Sequence, residues 1–125
     1  MDMLYYIYIG SNRVTIDHLS KITGGMFMAV SSCNKAAKVI DGIRERYNTS
    51  ILYEESTPQK DSQNITFLHK RFPRVYIILI TEGLQKEHRK LYLQAGVNNT
   101  LSPMASEESL QQMTKFLQLL SLIHI

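Results

Sequence analysis

The sequence predicts an α/β domain, a parallel sheet with helices on both of its faces. Three observations carry that prediction: five short apolar runs along the chain, stretches of three- and four-residue apolar spacing between them, and short connections that alternate one with the other. The runs are Leu4–Ile9, Met26–Val30, Ile51–Tyr53, Val75–Ile80 and Asn99–Leu101. The first and fourth are almost continuously apolar and rich in Ile, Tyr and Val. A strand with one wet face would alternate, so these two read as strands covered on both sides. The fifth run is weak alone and is assigned from its position.

The first helix follows Asn12, carries Val14, Ile16, Leu19 and Ile22, and is expected to end at Gly24 and Gly25. The second is capped by Ser32 and shows Ala36, Ala37, Ile40, Ile43 and Tyr47 at helical steps. The third is expected from Asn64 to about Arg71, closed by Pro73, which disfavours helix in the residue before it. The fourth runs from about Lys86 to Ala95 and ends at Gly96. Ser106 caps the fifth, with Glu107 and Glu108 at the positive end of its dipole and an apolar face of Leu110, Met113, Phe116, Leu117 and Leu120. Five strand–helix repeats with short connections imply right-handed crossovers.

At 125 residues the chain is one domain, residues 1–125, with an ordinary globular composition of 44% hydrophobic and 20% charged residues. A net charge of +3 reads as a solvated surface rather than a nucleic-acid footprint, so direct nucleic-acid binding is not expected. Cys33 is the only cysteine, which excludes an intrachain disulfide and favours a reducing compartment. With no basic leader and no apolar stretch long enough to span a bilayer, the expected location is the cytoplasm. The apolar tail Leu119-Leu-Ser-Leu-Ile-His-Ile has two readings. It extends the last helix over the core, or the chain is the N-terminal part of a longer protein with an output region downstream.

In open α/β sheets, ligands bind beyond the carboxyl ends of the strands. The informative residues are therefore Gly10-Ser11-Asn12, Glu54-Glu55, Thr81-Glu82-Gly83 and Ser102-Pro103. No dinucleotide fingerprint or phosphate-binding Gly-Lys-Ser/Thr loop is present, and His18, His69, His88 and His124 lack metal-ligand spacing. No metal, cofactor or catalytic residue is expected.

Three segments resemble the receiver domains of response regulators. Glu54-Glu55-Ser56-Thr57-Pro58-Gln59-Lys60-Asp61-Ser62 looks like the loop after their third strand, where a phosphoacceptor Asp is followed four residues later by Pro and then by Asp-Gly. The offsets of Pro58 and Asp61 put Glu54 in the acceptor position. Leu79-Ile80-Thr81 is similar to the fourth-strand ending that supplies a switch hydroxyl. Leu93-Gln94-Ala95-Gly96-Val97-Asn98-Asn99-Thr100-Leu101-Ser102-Pro103 resembles the family's Ala-Gly-Ala-Asp-Asp-Tyr-Leu-x-Lys-Pro segment. The resemblance spans Leu4 to about Leu120 and implies a CheY-like, flavodoxin-like (βα)5 sandwich with strand order 2-1-3-4-5. It also implies a signalling or regulatory role through protein contacts, with an output domain or regulatory partner, or a homodimer formed by the fourth helix, fifth strand and fifth helix.

Three of the departures remove a charged group. Gly10 and Ser11 stand where the family carries its acidic pair, Glu54 replaces the Asp, Ser102 stands at the lysine position, and Thr100 at the switch aromatic. Phosphoryl transfer depends on positioning and charge neutralisation, and Mg²⁺ usually takes one or two protein carboxylates. A pocket stripped in this way reads as a degenerate receiver without aspartyl phosphorylation or Mg²⁺ binding. Taken singly, Thr81 reads as a strand end, Pro58 and Asp61 as loop-shaping residues and Gly96 as a helix end. Glu54 is read as a solvated carboxylate, a fixed anion or a vestige. The rival reading is a small nucleotide- or flavin-binding protein in which Gly10, Ser11 and Asn12 offer backbone N–H groups to a phosphate.

Overall fold

The computed structural model describes residues 4–23, 25–44 and 48–123, with side chains described through Leu119. Strands and helices alternate: β1 (Tyr5–Ile9), α1 (Arg13–Ile22), β2 (Met26–Val30), α2 (Cys33–Asp41), β3 (Thr49–Glu54), α3 (Pro58–Arg71), β4 (Tyr76–Ile80), α4 (Lys86–Ala95), β5 (Asn99–Leu101) and α5 (Glu107–Ile123). The strands form one parallel five-stranded sheet in the order β2-β1-β3-β4-β5.

The continuous apolar runs are explained by what covers each side. Successive strand side chains point to opposite faces. Ile7, Ile9, Ile51, Tyr53, Ile77 and Leu79 pack beneath α2, α3 and α4, against Ala36, Ile40, Ile65, Leu68 and Tyr92. Tyr6, Tyr8, Leu52, Ile78 and Ile80 pack beneath α1 and α5, against Leu19, Leu110, Met113 and Leu117. Full burial of one such aliphatic side chain is worth roughly 1.5–3 kcal/mol, so both faces contribute heavily to stability. The two edge strands are the exceptions: β2 and β5 each pair on one side only, Met26 and Met28 stay 55% and 48% exposed, and Asn99 and Thr100 are exposed.

Helix ends follow the expected chemistry in most places. The Asn12 side chain accepts the Val14 and Thr15 N–H groups, Ser32 accepts that of Lys35, and Ser106 accepts that of Ser109. Gly96 ends α4 with φ at 126°, and a Cβ there would lie 2.7 Å from Cγ of His69 on α3. Both backbone shape and helix spacing therefore require glycine at this point.

Four boundaries differ from expectation. Thr23, not a glycine, caps α1 by donating its N–H to the Leu19 carbonyl; Gly24 lies outside the described residues. α2 stops at Asp41 with Gly42 as its cap, so Ile43 packs on the core from beyond the helix, and Tyr47 lies outside the described residues. β3 begins at Thr49, two residues that are polar but buried preceding its apolar run. α3 begins at Pro58 rather than Asn64. Proline suits the first helical position, where its missing N–H has no intrahelical partner to lose. Pro58 and Asp61 are thus residues of the helix, from which Asp61 still shapes the loop by accepting the Ser56 N–H. In α5, Leu110, Met113 and Leu117 are buried, whereas Phe116 is half exposed and meets the Tyr76 ring edge-on at 6.0 Å; the Leu120 side chain lies outside the described residues. The helix continues through the apolar tail to Ile123. No helix among the described residues is long and apolar enough to cross a membrane.

Candidate functional site

Strand register builds the crevice at the carboxyl end of the sheet. β3 sets Tyr53 beside Ile9 of β1 and Glu54 beside Ile80 of β4. Glu54 therefore stands at the crest of the central strand, facing the turn into α1. Its Oε1 accepts the Tyr8 hydroxyl at 2.8 Å and the Asn12 N–H at 2.9 Å, while Oε2 accepts the Ser11 N–H at 3.2 Å. These N–H groups lie at the positive end of α1, where a carboxylate is favoured. The close approach needs Gly10, because a Cβ there would lie 2.6 Å from both Cβ and Cδ of Glu54. Burial, and then the neighbouring carboxylate, push the Tyr8 phenol well above its ordinary range.

The next residue turns to the other side. Thr81, at the end of β4, donates its hydroxyl to Glu55 Oε1 at 2.7 Å and accepts the Gly83 N–H at 3.2 Å. The Glu55 N–H itself bonds the Ile80 carbonyl. The switch-hydroxyl position is thus engaged by Glu55, not by the Glu54 that the motif offsets single out. Above these groups lies a cavity of about 500 Å³ bordered by Tyr8, Ser11, Thr15, Glu55, Thr81 and Gly83. Ser102 and Thr100 do not border it. They line a separate groove between β5 and α5, and the Ser102 hydroxyl accepts the Met104 N–H.

Sequence reasoning missed a second anionic centre. Asp61 is fully buried on α3, where Oδ1 accepts the Tyr53 hydroxyl at 3.1 Å and Oδ2 accepts the Ser56 N–H at 2.7 Å and the Tyr92 hydroxyl at 2.8 Å. Asn64 donates in turn to the Tyr53 oxygen. Burial is the main cause that pushes the Tyr53 and Tyr92 phenols up, with Asp61 adding to it in both. The signal was present: Asp61, Ile65 and Leu68 share the core-facing side of one helix, but only the last two are apolar. Nearby, burial raises the half-buried Cys33 thiol.

Comparison with solved structures decides the fold. The chain superposes on the signal receiver domain of an HD domain-containing protein from Pseudomonas fluorescens Pf-5 with a TM-score of 0.81 at 12% identity, covering 99% of this chain and 93% of that one. This is the CheY-like receiver fold. A CheY-like protein, TadZ, from Pseudomonas aeruginosa PAO1 matches with a TM-score of 0.77 at 13% identity, covering 94% of each chain. The receiver domain of a sensor histidine kinase from the same organism, which holds a magnesium ion in its active-site cleft, matches at 0.67 and 19% identity, covering 91% of this chain and 96% of that one. No family model matches the sequence, and no curated protein is significantly similar to it.

The receiver fold raises the question of a divalent cation, and the residues present do not fit one. Mg²⁺ takes oxygen ligands in near-octahedral geometry. The end of β1 instead presents two N–H donors, and both oxygens of Glu54 are turned toward donors. Among the described residues, no group of three or more His, Cys, Asp or Glu side chains is placed to hold a metal ion. The Ser11 and Asn12 N–H groups that the sequence offers to a ligand phosphate are likewise taken by Glu54, which removes the main support for a nucleotide or flavin site.

Proposed function

We propose that this chain is a single receiver-like regulatory module that acts through protein–protein contacts, without aspartyl phosphorylation or magnesium binding. One observation carries this reading: the carboxylate at the acceptor position is bound to the Ser11 and Asn12 N–H groups and the Tyr8 hydroxyl. A nucleophilic carboxylate needs a free oxygen beside a cation that neutralises the incoming phosphoryl group. Here both carboxylate oxygens are already engaged by N–H and O–H donors.

The partner-facing surface is that of α4, β5 and α5. Leu93 of α4, Met104 before α5, and Phe116 and Leu119 of α5 are all exposed apolar side chains on these elements. Lys86, Arg89 and Lys90 on α4 add exposed positive charge at its margin. Two of the matching folds are receiver domains belonging to larger proteins, an HD domain-containing protein and a sensor kinase, which supports an output domain or regulatory protein as partner. Self-association through the same surface is the second form such a contact can take. The reading places the domain in the cytoplasm, with no cofactor, no catalysis and no direct nucleic-acid contact.

The test is incubation with acetyl phosphate and Mg²⁺ followed by intact-mass measurement. The expected spectrum is that of the unmodified chain. A phosphoryl adduct on any carboxylate overturns the proposal.

A further inference from the structure

The geometry points to a binding site that the protein fills with its own side chain: Glu54 is a tethered ligand plugging a pocket that selects a small carboxylate. The pocket consists of the Ser11 and Asn12 N–H groups and the Tyr8 hydroxyl. Three features go beyond an ordinary helix cap. First, the two oxygens have separate donors, Oε2 the Ser11 N–H and Oε1 the Asn12 N–H with the Tyr8 hydroxyl. That division suits a planar two-oxygen anion and not a spherical one. Second, Tyr8 is 0% exposed, so its hydroxyl is a buried polar group committed to whatever fills the pocket. Third, Gly10 leaves room where any Cβ would strike Glu54 at 2.6 Å.

The cap proper of α1 is a different group. Asn12 Oδ1 already serves the Val14 and Thr15 N–H donors, so Glu54 is not needed to start the helix. What it satisfies is the turn before the helix, through the Ser11 and Asn12 N–H groups. The occupant of the site is a side chain of the protein itself. A domain built this way is held in the occupied state without any free ligand. The inference rests on the functional reading above only in taking the crevice to hold no cation.

The experiment is chemical rescue of Glu54→Ala by sodium formate, read by thermal and urea unfolding at constant ionic strength. Glu54→Ala is expected to be less stable than the wild type and to regain stability as formate is raised. Once formate exceeds its dissociation constant, each tenfold rise should multiply the folded-to-unfolded ratio about tenfold. Sodium chloride at equal strength should restore nothing, and the wild type and Glu54→Gln, whose pockets stay filled, should respond to formate no more than to chloride. An equal response of Glu54→Ala to both salts overturns the inference. If Glu54→Ala does not fold alone, the readout becomes refolding yield in formate against chloride, and equal yields overturn it. Acetyl phosphate labelling of the wild type bears on the functional reading alone, so the two claims fail separately.

Discussion

Glu54 and Asp61 belong to one short stretch of chain, and both are carboxylates held by neutral donors, yet one is half-buried and the other fully buried. Their donors differ in kind. Glu54 is held by two backbone N–H groups and one phenol, so most of its site depends on the path of the chain. Asp61 is held by two phenols and one N–H, so its site depends on particular side chains contributed by β3 and α4. A buried anion without a cation persists only if its hydrogen bonds replace water. The comparison separates two uses of the same charge: Glu54 closes the crevice, whereas Asp61 ties the loop after β3 to α4.

The sharpest way to break the comparison is Asp61→Ala. It leaves two buried phenols without this acceptor, and at about 1–3 kcal/mol for each the loss should reach about 2–6 kcal/mol in urea unfolding. Gly10→Ala comes next. Its new Cβ collides with Glu54, and displacement of the carboxylate should cost about 1–3 kcal/mol, an overpacking penalty with no loss of any hydrogen-bonding group. A smaller effect is expected from Tyr92→Phe, about 1 kcal/mol, because Asp61 keeps two of its donors. If Asp61 and Tyr92 act as one unit, the double variant should cost less than the sum of the singles.

The last effect appears only at alkaline pH. Folding raises the phenols of Tyr8, Tyr53 and Tyr92 above the ordinary value of 10.0, with burial the first cause in each. The folded state therefore holds these protons more tightly than the unfolded chain. The stability they contribute is complete below the ordinary phenol pKa and falls as pH rises through the folded-state values. Phenolate absorbance should show these tyrosines ionising only as the protein unfolds, and Glu54→Gln should let Tyr8 ionise at lower pH while Tyr53 and Tyr92 stay as they were.

Much of this molecule was legible in its sequence, for reasons that vary by residue. The strands of both sheet faces were visible because a doubly covered strand leaves an unbroken apolar run, as at Tyr6–Ile9 and Ile77–Ile80. The crevice was legible because parallel topology brings the ends of β1, β3 and β4 together, and Gly10, Ser11, Glu54 and Thr81 all stand at those ends. Their pairing was not. Consecutive residues at a strand end diverge, and no offset says that Glu54 turns to α1 while Glu55 turns to Thr81. Asp61 was missed because hydrophobic periodicity treats a carboxylate as surface, and the buried tyrosines that satisfy it are distant in sequence. The first two turns of α3 were missed for the same reason, since their only core-facing residue is that Asp.

The open margin at β2 has its own consequence. Its outer edge has no neighbouring strand, and two of its five side chains are exposed methionines, so it holds fewer cooperative contacts than β1, β3 or β4. Amide exchange should accordingly be faster in this strand than in the three central ones, as at the short opposite edge β5, with the sheet fraying from its margins inward.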